Sequence, residues 1–312
     1  MHRRLAVVVG VGLAVAITAG SGRTAAARDL IGTRATGMGG ALRAAALGSS
    51  SVLLNPAGMS LARMYVINAL YQWRGSDAAS QLSASVVDSA TSRKIAAGLF
   101  YNFSHASPTY TLGSAKGPIG IEQTTNTHEI GVALSMPLGQ YFVIGVSGRY
   151  INHGASLNEG APEGLSLPDL STFTMDVGGV IRLGRSFNIA VVGYNLIPVD
   201  DTFSALFPQS IGLGVSYAMG TLFLAEFDTV LDFTSDKTKS VTTSVHGGLE
   251  LFLGKRYVIR GGAMHSQYRD ATYVTGGLGL VTKRLGVDAS LRQMVDGGNE
   301  TLLAFALKLF LQ

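Results

Sequence analysis

From residue 64 onward, hydrophobic and polar residues alternate with a period of two, in segments of about ten residues divided by turn-forming stretches. In 141–153, Phe142, Ile144, Val146 and Tyr150 fall on one face while Gly145, Ser147 and Arg149 fall on the other. In 172–183, Phe173, Met175, Val177, Ile181 and Leu183 oppose Thr174, Asp176, Gly178 and Arg182. Phe223, Ala225, Phe227, Thr229, Leu231 and Phe233 likewise oppose Glu226, Asp228 and Asp232. A helix turning every 3.6 residues would mix these sets, whereas a strand separates them. The pattern predicts about fourteen strands, near 64–74, 81–88, 94–104, 126–137, 141–153, 172–183, 187–196, 210–218, 222–233, 241–253, 257–265, 272–281, 284–293 and 301–311.

The connections give an independent reading. Short turns stand at 138–140, 184–186, 219–221, 254–256 and 282–284, at every second junction. The intervening stretches, among them 105–125, 154–171 and 197–209, are longer and rich in Gly, Pro, Ser, Asn and Asp, so they are expected to be loops. Short and long connections alternate in bacterial barrels, with the short ones on the periplasmic side, which places both chain ends there. The last segment sets Leu303, Phe305, Leu307, Leu309 and Leu311 against Ala304, Ala306 and Lys308, as a closing strand would, although the chain ends Phe310-Leu311-Gln312 and not on an aromatic residue.

Composition decides where such strands reside. The chain has 312 residues, 47% hydrophobic and only 14% charged, and its mean hydropathy is positive. No apolar run after the first thirty positions is long enough for a spanning helix. Lipid tolerates only structures that satisfy every backbone polar group, so a membrane chain without such helices must close its strands into a barrel. A soluble β-sandwich would reverse the pattern, with charged outer faces and apolar inner ones. Tyr65, Trp73, Tyr101, Phe103, Tyr141, Phe142, Phe187, Tyr217 and Tyr257 near segment ends fit interfacial belts. The expectation is an all-β fold: a transmembrane antiparallel β-barrel over 64–312, surrounded by outer-membrane lipid.

Residues 1–27 read as a secretory signal: basic His2-Arg3-Arg4, the apolar stretch Leu5 to Ala19, and small residues Ala25-Ala26-Ala27 at a cleavage site. Their removal takes Arg3, Arg4 and Arg23 from the 24 basic residues, leaving 21 against 20 acidic ones, so no nucleic-acid partner is indicated. No cysteine is present, so disulfide and thiolate-metal chemistry are excluded. Residues 28–63 are expected to form a plug inside the barrel. They contain Gly37-Met38-Gly39-Gly40, whose glycines permit close backbone approach to a wall, and Asn55-Pro56-Ala57-Gly58. Asn55 can cap a short helix that opens with Pro56. No lysine followed by Ser or Thr completes a phosphate-binding loop.

The run G-x-R-x-x-G-M-G-G-A at 32–41, followed by N-P-A-G at 55–58 ahead of a barrel, resembles the FadL/TodX family of outer-membrane transporters for hydrophobic compounds, with the related PorV-type barrels. The resemblance spans the plug and, through strand number, the mature chain. It implies a fourteen-stranded barrel, a hatch role for Asn55, Pro56 and Ala57, and passive uptake of long-chain fatty acids or aromatic hydrocarbons. The outer loops here are modest for such a transporter. The PorV-like alternative is a barrel that docks envelope or secretion proteins, and a plain porin is a third reading. Outer membrane of a Gram-negative bacterium, a hydrophobic small-molecule ligand and a monomeric state are the corresponding expectations.

Catalytic chemistry is not advertised. The six histidines have no metal-ligand spacing and no G-x-S-x-G elbow occurs, so no metal, cofactor or enzymatic activity is expected, although a Ser-His pair on facing strands would leave no sequence trace. Glu129, Arg149, Asp176, Arg182, Glu226, Asp228, Glu250, Arg260, Asp288 and Arg292, all on polar faces, are expected to form a lumenal network. Their mixed signs let buried charges pair and argue against strong ion selectivity.

Overall fold

The computed structural model describes residues 31–114, 117–158, 167–236, 238, 240–254 and 256–311; the signal reading of 1–27 lies outside them. Alternation is carried directly into backbone pairing. The strands are β1 (Tyr65–Arg74), β2 (Ala79–Asp88), β3 (Ala96–Ala106), β4 (Thr109–Ser114), β5 (Gly117–Leu138), β6 (Phe142–Leu157), β7 (Leu170–Leu183) and β8 (Phe187–Tyr194). They continue with β9 (Ser210–Met219), β10 (Phe223–Asp232), β11 (Thr242–Leu253), β12 (Tyr257–Ser266), β13 (Ala271–Val281), β14 (Leu285–Asp296) and β15 (Thr301–Leu311). Every pairing is antiparallel between sequence neighbours, apart from two. β1 pairs β15, from Tyr65↔Leu311 to Arg74↔Leu302, and β3 passes β4 to pair β5, from Ala96↔Ser135 to Ala106↔Thr125. Fourteen strands thus close into a barrel without a free edge, and β4 stands outside the ring.

All fourteen expected segments are strands, and their faces are as the alternation assigns them. Leu134, Ile144, Phe173, Phe227, Leu249 and Phe305 are exposed on the outer surface, a distribution that only lipid would stabilise. Inward positions on the same strands, such as Ser135, Thr174, Asp176, Glu226, Asp228 and Glu250, are buried. Among the described residues no helix is long and apolar enough to cross a membrane.

Two expectations about connections need correction. The stretch 105–125 is largely not a loop: β4 and the start of β5 form a hairpin beyond the barrel, from Thr109↔Glu122 to Ser114↔Gly117. Pro108, Gly113, Gly117 and Pro118 disguise it as loop in sequence, while the β-branched residues between them favour a strand. The short-long alternation also fades over part of the ring. The connections 75–78, 267–270 and 297–300 are nearly as compact as the turns at the opposite end of the barrel, with Ala78, Asp270, Gly297 and Gly298 taking the positive φ that such turns demand.

Candidate functional site

The segment from Ile31 to Met64 lies inside the barrel. α1 (Thr33–Gly37) packs on β12 to β15, a 3-10 turn (Gly48–Ser50) on β1 and β2, α2 (Ser51–Leu54) on β3, and a second 3-10 helix (Pro56–Leu61) on β5, β6 and β7. Asn55 caps that last helix, its Oδ1 accepting from Ala57 N–H at 3.1 Å with Pro56 in the first turn. Its Nδ2 also donates to the Arg43 carbonyl at 2.9 Å, tying together two arms of the segment. One buried amide side chain therefore serves both as cap and as cross-brace.

Glycines on both sides allow this fit. A methyl group at Gly178 would overlap Asn55 Oδ1, and one at Gly145 would overlap the Ala57 backbone. Gly39, at φ +68°, sits against the Ala263 and Gly247 backbones, where no side chain would fit. Gly40 lies against His246 and Gly37, with slightly more room, against Gly277, and Met38 is buried against Gly248 and Gly262. Gly58 turns against the Ala46 carbonyl within the segment itself. The eight motif residues Gly37 to Gly40 and Asn55 to Gly58 are thus all at points of close contact.

Polar wall residues hold the segment as a ligand would be held. Asp228 Oδ2 accepts from the backbone N–H of Leu42 and Arg43, at 2.9 and 3.0 Å, and from Arg43 Nη1 at 3.0 Å. Glu226 Oε1 accepts from Ala44 N–H, and Thr275 Oγ1 bridges Gly37 and Gly39. Glu250 is gripped between Arg34 of the segment, at 2.7 Å, and Arg260 of the wall, at 2.6 Å. Arg260 continues to Asp288 at 2.6 Å, and Asp288 to Lys308 at 2.7 Å. Charges this deeply buried persist only when paired and hydrogen-bonded.

The charged residues expected in one lumenal network fall into separate groups. Glu226, Asp228 and Glu250 hold the N-terminal segment, with Arg260 and Asp288 backing Glu250 on the wall. Arg149 forms a second cluster above it, 2.5 Å from Asp176 and 3.3 Å from Glu129, with Asn195 accepting from its other Nη. Arg292 belongs to a third near the outer rim, 2.7 Å from Glu300 and 4.9 Å from the Tyr273 ring. Arg182 joins none of these: it is half-buried beside the 184–186 turn and makes no salt bridge with a described residue. Arg34, Arg43 and Lys308 were not among the expected participants. Arg34 and Arg43 were signalled, because 31–62 holds two arginines and no acidic residue, so both counter-charges had to come from the wall.

Above the segment the lumen opens into a cavity of about 150 Å³. Its floor includes Ile31, Leu53 and Leu54, and its walls Phe100, Val230, His246 and Met264, besides the Arg149 cluster. Its roof is the 197–209 connection, expected to be a loop and found folded inward, with Phe203 and Phe207 packed on Ile151 and Leu170. Leu206 and Phe207 close the cavity from the outer side. Among the described residues no three His, Asp or Glu side chains converge as metal ligands.

No protein-family model matches the sequence, and no curated protein matches it either. Solved structures do. The toluene transporter TbuX of Ralstonia pickettii superposes with a TM-score of 0.69 at 13% identity, over 90% of this chain and 98% of that one. The monoaromatic hydrocarbon channel CymD superposes at 0.66 with 12% identity, over 90% and 97%. A Pseudomonas aeruginosa FadL homologue gives 0.65 at 11% identity, over 89% and 97%. At such identities the likeness is one of fold, and the fold is that of the FadL/TodX channels, as the motifs of residues 32–41 and 55–58 anticipated.

Proposed function

We propose that the chain is an outer-membrane channel for passive uptake of small hydrophobic molecules, aromatic hydrocarbons in particular, with residues 31–63 as its plug and both chain ends in the periplasm. The observation that carries this reading is the partly open cavity of about 150 Å³ between the inserted segment and the inward-folded 197–209 connection. A cavity of about this volume has room for one benzene ring, and here Ile31, Leu53, Leu54, Phe100 and Phe207 supply the apolar part of a lining that also carries the Arg149 and Arg292 clusters. Its size favours a single ring over a long acyl chain. The named activities of the superposable structures, a toluene transporter and a monoaromatic hydrocarbon channel, point the same way. They are channels and transporters, which leaves the secretion-docking alternative without support.

Affinity would come from burial of apolar ligand surface, at about 25 cal/mol per Å². A ring in the cavity still faces the plug, so passage requires the plug to shift against the bonds from Asp228, Glu226 and Glu250. The charges that line the route are paired, which keeps the lumen from acting as an ion-selective pore. Purified protein in liposomes should accelerate entry of toluene into the vesicle lumen relative to empty vesicles, and should pass little ionic current across planar bilayers. Toluene entry no faster than in empty vesicles would overturn the reading, and a large steady conductance would make the chain a porin instead.

A further inference from the structure

His246 lies on β11 between Asp228 and Met264 on the neighbouring strands, and only 8% of it is exposed. Its Nδ1 is 2.8 Å from the carbonyl oxygen of Gly39. A carbonyl oxygen can only accept, so Nδ1 carries the hydrogen, and in the neutral ring Nε2 is left as an acceptor with no donor. No described residue donates a hydrogen bond to Nε2, while the ring lines the cavity beside Val230 and Met264. The inserted segment thus fixes the tautomer, and the tautomer leaves one acceptor on a ring that lines the cavity among Val230, Met264, Ser244 and Ser266.

A pure hydrocarbon seated there would strip water from Nε2 and return nothing, whereas a hydroxyl in place of a methyl group would satisfy it. An anionic ligand fits less well, because the arginines around the cavity already have acidic partners: Arg43 with Asp228, Arg149 with Asp176 and Glu129, and Arg292 and Arg269 with a shared Glu300. We propose that the cavity selects single-ring aromatics bearing a neutral hydroxyl, that is phenols, whose O–H donates to Nε2 of His246. This deepens the channel reading and rests on it.

The test uses the full mature protein in detergent micelles at about pH 8, where the unperturbed imidazole and a phenol are both neutral. Binding of phenol and of toluene, its near-isostere, is measured by equilibrium dialysis against protein-free micelles. The wild-type protein should bind phenol severalfold more tightly than toluene. His246→Asn places an amide N–H where Nδ1 was, so the Gly39 contact persists while the Nε2 acceptor is gone. This variant should lose the preference for phenol and keep its toluene affinity. As a check that needs no variant, the ¹⁵N resonance of His246 Nε2 should move with phenol and stay with toluene. Equal binding of the two ligands by the wild type, an unchanged preference in His246→Asn, or a silent Nε2 resonance would each overturn the inference and leave the channel reading standing. Failure to bind either ligand would remove both.

Discussion

At the residue scale, the molecule depends on a few side chains that close the polar accounts of an enclosed lumen. Glu250 is nearly inaccessible and pairs with two arginines at 2.7 and 2.6 Å. Glu250→Gln would cost Arg34 its carboxylate partner, leaving the Ala45 carbonyl to accept from its Nη1, and would weaken one side of Arg260. Breaking a buried pair in this way costs about 3–5 kcal/mol. The heat needed to convert the folded barrel to the unfolded form on a denaturing gel should fall accordingly, and an unchanged transition would show the pair to be dispensable. Gly178→Ala is a steric counterpart, since its methyl would collide with Asn55 Oδ1. It should loosen the plug and expose the arginines at 34 and 43 to trypsin. Gly184→Ala, in the 184–186 turn at φ +73° with open space around it, should cost about 1 kcal/mol of turn strain and leave the plug protected. Of these sites, the sequence disclosed the charges and the motif glycines, because charge on a polar face and G-x-G-G runs are visible in one dimension. It did not disclose that His246 meets Gly39, a contact between positions far apart in the chain that no local pattern encodes.

At the scale of elements, the strands were the most legible part, because a period of two states which side faces lipid. Leu134 on β5 pairs across to Val146 on β6, and Val146 to Val177 on β7, in a row of outward apolar residues. Leu134→Arg should destabilise the barrel by about 2–4 kcal/mol, read from urea unfolding in phospholipid vesicles. The same measurement on Ser135→Ala should show a smaller loss, limited to the hydrogen bonds from Ser135 to Ala57 and Ser60. Equal costs at the two positions would contradict the assignment of faces. Turns were less legible where composition and role diverge. Glycine and proline between 108 and 118 mark a loop in most contexts, yet here Pro108 precedes β4, Gly113 lies within it, and Gly117 and Pro118 open β5, the two strands pairing over Thr109 to Glu122. The 197–209 connection shows the converse, since its loop composition conceals Phe203 and Phe207, which anchor it inward on Ile151 and Leu170.

At the scale of the whole molecule, closure and filling have one cause. A ring of fourteen strands leaves no edge in lipid, but its inward face must still be covered, and the N-terminal segment covers it with glycine contacts, apolar side chains and two arginines. The existence of that segment was legible from its motifs. Its path was not, because a short stretch with little regular structure takes its course from the wall that it meets. What remains above it is the cavity on which the proposed activity rests. The most direct measurement exploits the absence of cysteine from the chain and the 2.9 Å separation of Ser60 Oγ, in the segment, from Ser135 Oγ, in the wall. The double substitution S60C with S135C, folded in vesicles and mildly oxidised, should form an intramolecular disulfide in nearly every molecule, seen as a mobility shift that a reductant reverses. If both thiols stayed free under oxidation while the barrel remained folded, residues 31–63 would not occupy the lumen, and the account of a plugged channel would be wrong.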